Sequence, residues 1–128
     1  MAEVLEHLHA PPARVLAFVQ SLLKPGGFLI IQTPNAASLK KRLKLLIGQH
    51  PYEMIRDDPY NPGHFREYTK GELLAIVRSV GFEVRRCELS NYFSHDSSKA
   101  FLERFLRSLC PPNLRRGITL VVQKPKET

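Results

Sequence analysis

Leu23-Lys24-Pro25-Gly26-Gly27-Phe28-Leu29-Ile30-Ile31-Gln32-Thr33-Pro34-Asn35 is the stretch on which the fold turns. Glycine at 26 or 27 can take the left-handed conformation that closes a helix, and Pro25 bars its continuation. The run Phe28 to Thr33 is almost continuously apolar, as in a strand buried on both faces of a parallel sheet. Just upstream, Val15, Leu16, Phe18, Val19, Leu22 and Leu23 recur at i, i+3, i+4 and i+7, which predicts a helix over 13–23. Pro12 suits the first turn of that helix. Residues 28–33 are therefore expected as a central parallel strand, with helix 13–23 as its crossover.

Downstream, Pro34-Asn35 ends the strand and a helix is expected over 36–47, closed by Gly48. Its Leu39, Leu43, Leu46 and Ile47 recur at helical spacing among Lys40, Lys41, Arg42 and Lys44, so the charges read as the solvated face of an amphipathic helix. Residues 49–65 show no periodicity and are rich in Pro, Tyr, Asp, Asn and Gly; a loop of this length is functional or mobile. Thr69-x-x-Glu72 is a capping box, opening a helix whose Leu73, Ile76, Val77 and Val80 face the core. Phe82 to Leu89 reads as a strand. A short helix is expected over 98–109, with Phe101, Leu102, Phe105, Leu106 and Leu109, broken by Pro111-Pro112. Residues 118–123 are a last apolar strand, expected to pair antiparallel with 82–90 at the sheet edge. Helices alternating with strands in this way argue for an α/β sheet.

Composition narrows the class. At 128 residues the chain is a single domain. Its 43% hydrophobic and 24% charged content excludes disorder and coiled coil. Cys87 and Cys110 are too few for a disulfide framework and form no CxxC pair. The opening Met-Ala-Glu-Val-Leu-Glu-His is acidic where a signal peptide is basic, and no apolar run nears the ~18 residues of a membrane span. A cytoplasmic protein without membrane contact is expected. The net charge of +7 is compatible with an anionic partner, but the chain lacks an aromatic-rich basic motif that would stack bases. Nucleic acid is therefore not an expected partner. No Gly-rich strand-to-helix turn offers a phosphate or nucleoside cradle.

Five segments, in this order and spacing, resemble a known family: Glu3-Val-Leu-Glu-His-Leu8, Leu23-Lys-Pro-Gly-Gly27, Phe28 to Asn35, Gly63-His-Phe-Arg-Glu-Tyr-Thr69 and Gly81-Phe-Glu-Val84. Together they look like the C-terminal half of a class I S-adenosylmethionine-dependent methyltransferase. The resemblance implies a partial doubly wound, Rossmann-like sheet over residues 1–128, with an antiparallel edge pair and the N-terminal donor-binding half absent. Residues 36–69 would be a helix and an acceptor-side loop insertion. In that family the segment like Glu3 to Leu8 follows the fourth strand and lines the space between methyl donor and acceptor. Ala2 and Glu3 would touch S-adenosylmethionine.

The same resemblance implies site residues. Glu3, Glu6 and His7 stand at i, i+3 and i+4, on one face if helical, and His64 lies on the far loop. Glu-x-x-Glu-His with a distant His is similar to the metal site of small-RNA 2′-O-methyltransferases, and ubiquinone-biosynthesis O-methyltransferases share its first part. There Mg²⁺ activates an acceptor hydroxyl; by ligand type Mn²⁺, Fe²⁺ or Zn²⁺ would serve equally. Glu6 and His7 have two alternative roles, a metal-free pocket with His7 as general base, or a purely structural one. Asn35, Tyr60, Phe65 and Arg66 would face the acceptor, with Tyr52 beside them in a lid. For Asn35 the alternative is capping the next helix, and for Arg66 an ion pair with Glu67. His9, His50 and His95 read as surface residues.

The function implied is methyl transfer from S-adenosylmethionine to an oxygen or nitrogen of a small molecule, with the isolated chain inactive and unable to bind the donor well. Partners would be the acceptor and either a complementing N-terminal half or further copies of the chain. The alternatives are a non-catalytic subunit that docks through an exposed sheet edge and a metal-dependent RNA methyltransferase fragment.

Overall fold

The computed structural model describes residues 1–91 and 111–126. The helix expected over 98–109, together with His95 and Cys110, lies outside them. Three strands form one antiparallel ladder: β1 (Phe28–Pro34), β2 (Glu83–Ser90) and β3 (Gly117–Gln123), in the order β1-β3-β2. The last strand thus sits in the middle. Phe28 pairs with Gln123 and Pro34 with Gly117 on one side; Glu83 pairs with Gln123 and Ser90 with Gly117 on the other.

Residues 82–90 and 117–123 pair antiparallel at one edge of the sheet, as expected, with β2 outermost. The expectation of a central parallel strand is corrected. β1 is not central among the described residues, and its sole parallel partner is the short bridge from Ala2 to Gln32. That bridge is held by Gln32 N–H donating to Met1 O and Glu3 N–H to Gln32 O, both at 2.9 Å. Both sheet crossovers are helical: α1 (Pro12–Leu22) links the bridge to β1, and α3 (Lys70–Ser79) lies between β1 and β2.

The core occupies one face of the sheet. Leu29, Ile31, Ile118, Leu120, Val122 and Leu89 are buried there with Leu16 of α1 and Leu73 and Val77 of α3. A bulge between Val84 and Arg86 re-phases β2, so that Val84, Cys87 and Leu89 sit opposite Val122, Leu120 and Ile118. β1 is not buried on both faces: burial alternates along it, with Phe28 58% and Ile30 53% exposed.

The local signals hold where chemistry is local. Thr69 caps α3 with a complete capping box, its Oγ1 accepting from Glu72 N–H while the Glu72 carboxylate accepts from Thr69 N–H. The second helix, α2 (Leu39–Leu46), is shorter than expected and opens at Ser38 rather than Asn35. None of its residues is buried, and Leu46 is 81% exposed. Among the described residues no helix is long and apolar enough to cross a membrane.

Candidate functional site

The C-terminal end of β1 gathers three separate segments. Residues 1–3 bridge it, the 3₁₀ turn Leu5–His7 follows, and the backbone N–H groups of Phe65 and Arg66 both donate to Glu6 O, at 2.8 and 3.3 Å. This clamp draws the loop carrying His64 against the turn carrying His7. Gly63 adopts φ 90°, a region that glycine enters without the penalty a Cβ brings, and its carbonyl turns to His7.

The two imidazoles meet edge to face, with ring centroids 4.7 Å apart. His7 Nδ1 lies 2.9 Å from Gly63 O. A carbonyl only accepts, so Nδ1–H donates and Nε2 carries the lone pair of the neutral ring. His64 Nδ1 is engaged in the same way, 3.0 Å from Glu67 Oε1. Burial holds the His64 pKa below its ordinary value, with His7 and Lys41 adding to the effect and Glu6 opposing it. Glu67 is further anchored by an ion pair with Lys41. Burial, with Lys44 nearby, pushes the Lys41 ammonium down to about 8.

Glu6 is fully buried beneath the pair. Its Oε2 accepts from Thr33 Oγ1 at 3.0 Å, while Oε1 has no hydrogen-bond partner among the described residues. Single ligand atoms of Glu6, His7 and His64 lie within 4.8 Å of one another. Of the four residues expected as a set, these three bring single ligand atoms together, and Glu3 lies against Glu6. Glu3 sits at φ 52°, a strained conformation for a non-glycine residue, and burial followed by the neighbouring Glu6 pushes its carboxyl up to about 8. This environment favours its neutral form.

A cavity of about 420 Å³ opens beside this cluster, lined by Glu3, Lys40, Lys41, Lys44, His64 and Arg116 among others. A second, of about 560 Å³, is lined by Tyr52, Met54, Ile55, Phe65 and Arg66 among others. Two of the expected acceptor residues, Phe65 and Arg66, line the second cavity. Arg66 pairs with Glu72 at 2.8 Å, not with Glu67, which is taken by Lys41 and His64. Asn35 lines neither cavity: Nδ2 donates to Asn113 O and Arg115 O and Oδ1 accepts from Ala37 N–H, tying β1 to the segment before β3. Tyr60 lines neither and is 97% exposed. Ala2 contributes its backbone bridge. Exposed His9 lies against the Phe65 ring, and His50 is also exposed.

Lys41 and Arg116 were not singled out as site residues by the sequence; Glu67 was read with Arg66 as an ion pair or a substrate contact, and Thr33 only as the end of the strand at the pocket edge. Lys41 carries only the faint signal of a charged residue between the quoted motifs.

A family model described as a methyltransferase domain matches residues 1–86. A probable S-adenosylmethionine-dependent methyltransferase of Mycolicibacterium smegmatis is 34% identical over 82 residues, 64% of this chain and 26% of that protein. The whole described fold is similar to solved S-adenosylmethionine-dependent methyltransferases. The structure from Methanosarcina mazei matches with a TM-score of 0.62 at 17% identity, covering 99% of this chain and 58% of that one. That from Mesorhizobium loti gives 0.55 at 14% identity, over 95% of this chain and 58% of that one. The chain thus spans about a quarter of the curated relative's length and under two thirds of the solved ones.

Proposed function

Because this chain belongs to the methyltransferase domain family, we propose that it supplies the acceptor side of a site moving a methyl group from S-adenosylmethionine to an oxygen or nitrogen of a small molecule. The observation that carries the reading is the pair of imidazoles, each with Nδ1 engaged and Nε2 left as a lone pair. Transfer is one substitution: the acceptor lone pair forms a bond to the methyl carbon, and the S–CH₃ electron pair returns to sulfur. The acceptor's proton passes to His7 Nε2. Gly63 O orients His7, and Glu67, held by Lys41, orients His64. Ala2 and Glu3 are proposed to face the donor, since they precede His7 at the end of the bridge.

The 128 residues hold no Gly-rich strand-to-helix turn, so micromolar donor binding is expected only with a complementing N-terminal half. Calorimetry with S-adenosylmethionine, with and without such a polypeptide, tests this; micromolar binding by the chain alone would contradict it. In the complemented protein, labelled donor and a panel of hydroxyl and amine acceptors test the chemistry. His7→Gln should then slow transfer by about 10²–10⁴-fold near neutrality. Loss of less than tenfold would remove His7 from the base role.

Glu6 favours a second reading. Its fully buried carboxylate and the two imidazoles form a donor set suited to a divalent cation such as Mn²⁺, Fe²⁺ or Zn²⁺. Glu6, His7 and His64 would hold it, with Glu67 and Gly63 O as the outer hydrogen bonds that fix each ring. Such an ion would lower the pKa of an acceptor hydroxyl. Equilibrium dialysis with Mn²⁺ or Zn²⁺ tests it; uptake unchanged in His64→Ala would end the reading.

A further inference from the structure

α2 faces the wrong way for an ordinary surface helix. In a globular protein an amphipathic helix turns its apolar stripe to the core and its charges to water. Here Lys40, Lys41 and Lys44 line the cavity beside His64, while Leu43, Leu46 and Ile47 stand more than half exposed. Arg116, delivered by the turn just before β3, adds a fourth cation to the same lining.

Counting partners shows which cations are spare. Lys41 is bound to Glu67, and Glu53, another lining acid, is paired with Arg56. The ammonium groups of Lys40 and Lys44 and the guanidinium of Arg116 have no carboxylate partner among the described residues. Lys44 is close enough to Lys41 to disfavour its charge. Three unneutralised cations on one concave wall repel one another and attract an anion. A guanidinium beside ammonium groups suits the paired oxygens of a carboxylate or phosphate.

We propose that the methyl acceptor carries an anionic group, a carboxylate or a phosphate, seated by Lys40, Lys44 and Arg116 with the reacting atom turned toward His7 and His64. The proposal deepens, and rests on, the methyl-transfer reading, but its test reads binding alone. It also explains the inverted helix: the basic arc is turned inward to a ligand.

The experiment is an amide chemical-shift titration of the full chain, in separate arms with inorganic phosphate and with acetate, at fixed ionic strength. Saturable shifts at Ser38 to Lys44 and around Arg116 are expected in at least one arm, and the stronger arm identifies the anion. Lys44→Gln combined with Arg116→Gln should weaken that binding by about tenfold. Both side chains are partly exposed, so the fold is expected to survive, and dispersed amide spectra would verify it. Lys40→Gln provides a milder second variant, and Arg78→Gln on α3 a control that should leave binding unchanged. Shifts that never saturate, or binding equally strong in the double variant, would overturn the anionic acceptor. Neither result would touch the methyl-transfer reading, which is tested by labelled donor and the acceptor panel.

Discussion

The two faces of the small sheet are built from the same strands and have opposite fates. On one face Leu29, Ile31, Ile118, Leu120 and Val122 are buried under α1 and α3. On the other, Phe28 and Ile30 stand in the open beside a half-buried Val121, and the surface turns charged toward β2, where Arg86 pairs with Glu88. The difference teaches where this chain is self-sufficient. A hydrophobic strand residue stabilises only in proportion to the apolar surface it removes from water, so Phe28 and Ile30 contribute little to this fold by burial. Solved methyltransferases of similar fold are longer than this chain. The bare apolar strip at β1 is a surface on which further chain would gain free energy by packing.

Mutations test that contrast. The largest effect should come from Leu120→Ala, in the middle of the central strand and fully buried: a loss of about 2–5 kcal/mol in urea unfolding. A loss below about 1 kcal/mol would mean the packed face is not the core described. Next is Thr69→Ala, which removes the cap of the helix covering that face and should cost about 1 kcal/mol. Ser38→Ala sharpens the point, because Ser38 makes no side-chain capping bond to α2 and should cost less than Thr69→Ala. The smallest effect is expected on the open face. Ile30→Thr should change stability by no more than about 0.5 kcal/mol in the isolated chain. The same variant should weaken association with a complementing N-terminal half, read by calorimetry. A large destabilisation of the chain alone by Ile30→Thr would break the contrast.

Much of the local structure was legible in the sequence because its causes are local. Lys24-Pro25-Gly26-Gly27 does separate α1 from β1, and Thr69 and Glu72 do form the box that opens α3. The meeting of His7 and His64 was legible only through resemblance, since nothing in either segment announces the Glu6 carbonyl that clamps residues 65 and 66. The antiparallel pair of 82–90 and 117–123 was legible, but the pairing of β1 with β3 was not, because it depends on contacts between distant segments. The orientation of α2 was missed for a related reason. Periodicity states that a helix has two faces, but not which one the rest of the molecule wants. Asn35 was read as a cap or a ligand, whereas the 111–116 segment that takes both its amide hydrogens is far away in sequence.

The position of β3 between its partners has a consequence for biosynthesis. β1 and β2 are made first and do not pair with each other among the described residues; each finds its antiparallel partner in residues 117–123. While the chain is still emerging from the ribosome, β1 has the short bridge to residues 1–3, and the antiparallel partner of both strands is still to come. Closure demands contacts between the most distant parts of the sequence, the kind that form slowly and leave edges open to other chains meanwhile. The final strand acts as the keystone of an arch. A chain that ended at residue 110 would hold both flanking strands without the strand that joins them.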